Sequence, residues 1–140
     1  MLIKDCMTKQ VEVGNPSMSL TEVARKMNDG DFGILPIVEN DRIVGMVTDR
    51  DIAVRGIAQG RDPNKLQVND VMSKHVFYCY EDQSMEEVSQ NLGKNQVRRL
   101  PVLNRQKRLV GILSIGDLAK SKINPQKFEE ALQNISKKAS

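Results

Sequence analysis

The chain repeats itself. Ile3-Lys-Asp5-Cys-Met7-Thr8 matches Val68-Asn-Asp70-Val-Met72-Ser73 at an offset of 65 residues, and the same offset pairs Val11 with Val76, Ser19 with Ser84, Glu22 with Glu87 and Leu35-Pro36 with Leu100-Pro101. One extra residue then shifts the offset to 66, which pairs Val44-Gly45 with Val110-Gly111, Asp51 with Asp117 and Ala53 with Ala119. A register held through about 50 residues with a single slip marks a duplicated supersecondary unit, so whatever one half folds into the other must fold into as well.

Each copy has the pattern βαββα. An extended stretch (Val11 to Val13; Val76 to Tyr80) leads to Ser19-Leu-Thr-Glu22 or Ser84-Met-Glu-Glu87. Both fit the capping box, in which serine accepts a free N–H and glutamate reaches back. Leu20, Val23, Ala24 and Met27 then follow helical spacing in the first copy, and Met85, Val88 and Leu92 in the second, so each helix should bury one stripe. Two short apolar runs come next, Ile34–Val38 and Ile43–Val47, then Leu100–Leu103 and Leu109–Leu113. Runs this short, separated by polar turns, predict a β-hairpin in each copy. Pro36 and Pro101 cannot donate to a ladder, which predicts an edge or an open position for each. A second helix should start at Asp49 or Asp51, and at Gly116 or Asp117.

Gln59-Gly-Arg-Asp-Pro-Asn-Lys65 is a short polar connector. The spacing divides the chain into a first repeat (1–60), a linker (61–67), a second repeat (68–122) and a tail (123–140). Pro125 suits a first helical turn, and Phe128, Leu132 and Ile135 fall on one side of the tail helix. Neither repeat buries much core alone. The two sheets are therefore expected to pack on each other about a pseudo-twofold axis, with Met1 to Met7 against the opposite copy.

Composition narrows the function. Aromatics are 4% of 140 residues with no Trp, which leaves little with which to stack bases, and the net charge of +3, part of it from Lys127, Lys137 and Lys138, is modest. Both argue against nucleic acid as a partner. Cys6 and Cys79 make no metal motif and His75 is the only histidine, so metal sites and histidine-based catalysis lack material. The cysteines read as small buried hydrophobes. No signal-peptide or membrane-span pattern occurs, so the expected compartment is the cytoplasm.

The chemistry sits at the strand-to-helix junction, Gly45-Met-Val-Thr48-Asp-Arg-Asp51 and Gly111-Ile-Leu-Ser114-Ile-Gly-Asp117. A hydroxyl just ahead of a helix is placed to hold a phosphate, and an aspartate three residues on can accept two hydrogen bonds from a ribose diol. The same spacing is also an ordinary helix start, so Thr48/Asp51 and Ser114/Asp117 can be read as caps alone.

Met7-Thr8, Leu35-Pro36-Ile37, Val44-Gly45 and Thr48-Asp-Arg-Asp51, echoed by Val71-Met72, Arg98-Arg99-Leu100-Pro101-Val102 and Val110-Gly111, resemble a tandem pair of cystathionine β-synthase (CBS) domains over residues 1 to about 122. The whole is similar to small bacterial stand-alone proteins built from one such pair. The resemblance implies an α+β fold of two CBS repeats (a Bateman module) with a C-terminal helical tail. It implies two clefts between the repeats for adenosine-containing ligands: AMP, ADP, ATP, S-adenosylmethionine or NAD. It also implies a homodimer, a regulatory role toward a protein target, and no required cofactor. Carried across, Thr48 and Ser114 would meet phosphate and Asp51 and Asp117 ribose, while adenine would lie against apolar residues and backbone near Val11, Ile37, Val76 and Val102.

The two sites should differ. Arg98-Arg99 stands where the first copy has Gly33-Ile34, and an arginine facing a cleft could pair with phosphate. Asp49 adds negative charge beside Thr48, whereas Ile115-Gly116 does not. The expected anion site is thus the one using Ser114, Asp117 and Arg99. A structural interaction module with no bound nucleotide is the alternative. An enzyme is not expected, because no nucleophile–base pair is in sight.

Overall fold

The computed structural model describes residues 1–137; Lys138 of the expected tail lies outside them. The fold is mixed α+β, with two small sheets, and the chain divides into two compact units. One unit is Glu12–Val76. The other joins Met1–Val11 to the chain from Phe77 onward. The packed units therefore do not coincide with the sequence repeats, because the leading segment of each repeat is built into the unit that holds the other repeat's hairpin.

In the unit Glu12–Val76, helix α1 (Leu20–Gly30) precedes strands β1 (Ile34–Glu39) and β2 (Arg42–Thr48), and helix α2 (Asp49–Asp51) continues through a π-turn (Ile52–Gly56) and a 3-10 turn (Ile57–Gln59). Ser19 caps α1 by accepting the Glu22 N–H at 3.1 Å, and Glu22 returns by accepting the Ser19 N–H at 3.2 Å. The hairpin turns at Asn40 and Asp41, whose φ angles are 54° and 63°. Two consecutive left-handed residues match the right-handed twist of the flanking strands. The core is aliphatic: Leu20, Val23, Leu35, Ile37, Val47 and Val68 are its fully enclosed members. Leu66, in the expected linker, is buried in this core, and its carbonyl accepts the Leu20 N–H at 3.1 Å.

The other unit has β3 (Cys79–Tyr80), α3 (Met85–Asn95), β4 (Arg99–Leu103), β5 (Leu109–Ser114), α4 (Ile115–Ala119) and α5 (Pro125–Ser136). Its core contains Ile3, Met85, Val88, Leu92, Leu100, Val102, Leu113 and Leu118, joined by Ile135 from α5. Asn124 caps α5 by accepting the Gln126 and Lys127 N–H groups at 2.9 and 3.4 Å, and Pro125 occupies the first turn, as its fixed φ favours.

Two expectations change. The first extended stretch forms no strand; Gly14 makes a single parallel bridge to Ile37, and in the second copy only Cys79–Tyr80 are strand. The prolines stand as expected: Pro36 lies on a strand of a two-stranded sheet, and Pro101, on the middle strand of β3-β4-β5, holds an open position because β3 pairs only with Val102 and Leu103. Ala24 is exposed although it falls on the apolar spacing of α1. Its counterpart Ser89 is buried, because α5 packs on α3: a Cβ on Gly93 would lie 3.4 Å from the Cα of Ala131 and 3.2 Å from the Cβ of Asn134.

The leading segments are fixed in the same way in both units. The Thr8 and Ile112 backbones exchange two hydrogen bonds of 2.9 Å, and Met46 and Ser73 exchange two of 2.9 and 2.8 Å. Ile3 and Lys4 also donate to the carbonyls of Gln83 and Glu81 at 2.9 and 3.0 Å. Met1 to Met7 thus packs against the second copy, as the sequence predicts.

Burial pushes the Cys79 thiol up to about 12, with Cys6 nearby adding to the shift, and it raises the Cys6 thiol as well. The thiolate is the reactive form. At pH 8, a disulfide reagent such as DTNB is expected to leave Cys79 untouched in the native protein and to titrate it only after denaturant is added. Rapid native labelling of Cys79 would show that its burial is wrong.

Candidate functional site

Each junction forms a reciprocal capping box. The Asp51 N–H donates to Thr48 Oγ1 at 3.0 Å, and the Thr48 N–H donates to Asp51 Oδ2 at 2.9 Å. In the other unit the Asp117 N–H donates to Ser114 Oγ at 3.1 Å, and the Ser114 N–H to Asp117 Oδ2 at 3.0 Å. Three-residue spacing dictates this geometry locally, which is why it recurs. Neither hydroxyl spends its own proton in the cap, since each accepts there. Each can still donate to an oxygen anion.

The aspartates keep a second carboxylate oxygen, and the two units occupy it differently. Arg55 Nε lies 3.9 Å from Asp51 Oδ1. Thr8 Oγ1 donates to Asp117 Oδ1 at 3.3 Å, with Oδ2 at 3.4 Å. Thr8 therefore orients the Asp117 carboxylate. The sequence offered Thr8 as part of the Met-Thr motif but no reason to join it to a residue 109 positions away.

The surroundings have opposite charge. In the unit Glu12–Val76, Asp49 folds over Gly33: its N–H donates to the Gly33 carbonyl at 2.9 Å, and a Cβ on Gly33 would stand 2.7 Å from its Oδ2. In the other unit the equivalent positions carry Arg98 and Ile115, whose N–H donates to the Arg98 carbonyl at 3.0 Å. Arg98 and Arg99, both exposed, line a cavity of about 380 Å³ with Ser114, Ile115, Gly116 and the α5 residues Leu132, Ile135 and Ser136. Arg98 and the α5 residues line this cavity, although the sequence pointed only to Arg99 as a site residue and placed Leu132 and Ile135 simply on one side of the tail helix.

The structure separates some of the expected site residues. Asp117 faces a different cavity, of about 270 Å³, lined by Met1, Asp5, Cys6, Lys120, Ser121 and Lys122. Val11 falls in the unit of Ser114 and Asp117, and Val76 in that of Thr48 and Asp51; both are half-buried. Ile37 and Val102 are 0% exposed within the two cores, so their side chains are closed to a ligand and only backbone is on offer there. Both strands are covered on each face, and alternation then marks no cleft side.

Among the described residues no group of three His, Cys, Asp or Glu side chains sits together, and no helix is long and apolar enough to cross a membrane. The CBS domain model matches residues 3–55 and 68–124. The chain is 41% identical over 134 residues to the CBS domain-containing protein YhcV of Bacillus subtilis, covering 96% of this chain and 94% of that one. It is also similar to hypoxic response protein 1 of Mycobacterium tuberculosis, at 36% identity over 84% of this chain and 82% of that protein. The crystal structure of hypoxic response protein I with two coordinated zinc ions superposes with a TM-score of 0.77 at 36% identity, over 86% of this chain and 98% of that one. The CBS domain pair of protein MJ0100, solved with 5′-methylthioadenosine and S-adenosyl-L-methionine, gives a TM-score of 0.75 at 28% identity, over 86% and 94% of the two chains.

Proposed function

Because the chain belongs to the CBS domain family, we propose that it is a regulatory binding module for adenosine-containing ligands, without catalysis. The observation that carries this reading is the cavity beside Ser114, where a hydroxyl with a free proton meets two arginines. A phosphate there would gain charge-assisted hydrogen bonds. The relative solved with methylthioadenosine and S-adenosylmethionine supports the adenosine part. Asp117 faces a second cavity, so it would take the ribose diol only of a ligand that reaches past the Ser114–Asp117 capping box, and Thr48 and Asp51 would form another, weaker site. Binding would report ligand level to a protein target by favouring one conformation over another. The protein would act in the cytoplasm as a homodimer, which sedimentation velocity can check.

The test is a melting-temperature panel with AMP, ADP, ATP, S-adenosylmethionine and NAD, followed by calorimetry on any compound that shifts the transition. A ligand at 100 times its Kd should add about 2.7 kcal/mol. Asp117→Ala should abolish most of that gain, and its loss of cap should cost the free protein only about 1 kcal/mol. The nucleotide should be recovered unchanged. The completed capping boxes favour one other reading, an interaction module in which Thr48, Asp51, Ser114 and Asp117 only start helices. No shift with any of the five compounds would select that reading instead.

A further inference from the structure

Strand β3 is an edge of the sheet β3-β4-β5, because it pairs with β4 alone. The Glu81 N–H, just past the strand, donates to the Leu103 carbonyl of β4 at 3.0 Å. Backbone groups alternate in direction along an extended chain, so those of Tyr80 and Tyr78 face away from β4. An edge of this kind is a template for another strand. The hazard here is specific. With its N–H and its carbonyl both outward, Tyr80 could exchange two hydrogen bonds with the same residue of a second copy. Such a pairing is antiparallel and self-complementary about a twofold axis.

These outward groups already have partners within the chain. The Tyr80 N–H donates to Gln83 Oε1 at 2.8 Å, and the Tyr80 carbonyl accepts the Gln83 N–H at 3.1 Å. One glutamine therefore takes both hydrogen bonds that an added strand would need. The Tyr78 carbonyl accepts from Asn91 Nδ2 of α3 at 3.0 Å. Asn95 Nδ2, one helical turn on, donates to Asn91 Oδ1 at 2.6 Å and so sets the orientation of that amide. Beside the edge, Arg105 lies 4.0 Å over the centre of the Tyr80 ring, held there by Asp82 at 2.8 and 2.9 Å.

The device belongs to the second copy. At the offset of 65, Met18 stands for Gln83 and Lys26 for Asn91. Lys26 Nζ reaches Glu12 Oε2 at 3.3 Å, and the N–H of Asn15, the equivalent of Tyr80, meets Met18 Sδ at 3.4 Å. The first copy forms no strand there, so it has no such edge to guard. The two amides occur where the edge does.

We propose that Gln83 and Asn91 seal the β3 edge and keep two copies of the chain from joining through it, so that self-association has to use another face.

The experiment combines hydrogen exchange at the Tyr80 amide of the full chain with sedimentation velocity over a concentration series. In dilute wild type that amide should be protected, and Gln83→Ala should speed its exchange by about tenfold or more. Gln83→Ala with Asn91→Ala should shift sedimentation to species larger than any that wild type forms at the same concentration. Adding Tyr78→Lys, a charge at an exposed position on the edge, should return the wild-type distribution. The melting transition of each variant checks folding, and Gln83→Ala alone carries both readouts if the double variant does not fold. An unprotected Tyr80 amide in wild type would overturn the proposal, as would folded variants that associate no more than wild type does. Association that Tyr78→Lys leaves untouched would also overturn it, because another surface would then be responsible.

Discussion

Ile3→Ala is expected to lower unfolding stability by about 2–4 kcal/mol, the range for truncating a fully buried isoleucine. Residues near a chain terminus are usually tolerant of change. Ile3 is 0% exposed and belongs to the core made by Met85, Val88, Leu92, Leu100 and Leu118. Its backbone is held by the Gln83 carbonyl at 2.9 Å. The loss should appear in urea titration as a lower midpoint at unchanged slope, which marks a change in stability rather than in the surface exposed. Lys4→Ala, one residue on and exposed, should shift stability by less than about 0.5 kcal/mol. Equal, small effects of the two substitutions would mean that the segment Met1–Val11 is not part of this core.

Gly111→Ala should destabilise by about 1–3 kcal/mol through overpacking. The sign is informative, because replacing glycine within an unstrained strand would otherwise stabilise by roughly 0.5–1 kcal/mol. A Cβ on Gly111 would lie 2.7 Å from Met7 Sδ and 2.9 Å from the Thr8 carbonyl oxygen. The same close approach recurs at Gly45, where a Cβ would lie 2.5 Å from Met72 Sδ and 3.0 Å from the Ser73 carbonyl. The two sites should respond alike to rescue. At each the nearest obstacle is a flexible thioether and a backbone carbonyl stands within 3.0 Å, so Met72→Ala or Met7→Ala should recover only part of the corresponding glycine-to-alanine loss. Double-mutant cycles measure both couplings. A stabilising Gly111→Ala would refute the contact.

These two contacts explain why Met-Thr/Ser and Val-Gly occur together in each copy. The repeat, the capping boxes and the hairpins were legible because each depends on residues within a few positions of one another. Ser19 finds Glu22, and Thr48 finds Asp51, by helix geometry alone. The asymmetry between the anion surroundings was legible in part: Asp49 does fold toward the first junction, and arginine does stand beside the second. Arg98 fell outside the expected site; it precedes β4, where strand periodicity gives no information.

Sequence alone determined that this chain is a duplicated unit of helix, hairpin and helix with a hydroxyl-to-aspartate junction in each copy, since periodicity and three-residue spacing act locally. Tertiary structure decided how the leading segments are held, because only the assembled backbone brings Thr8 to Ile112 and Ser73 to Met46. It also decided that the two copies are unequal. Ser89 and Gly93 let α5 lie close on α3, and that packing turns one of two equivalent junctions into a walled cavity bearing two arginines.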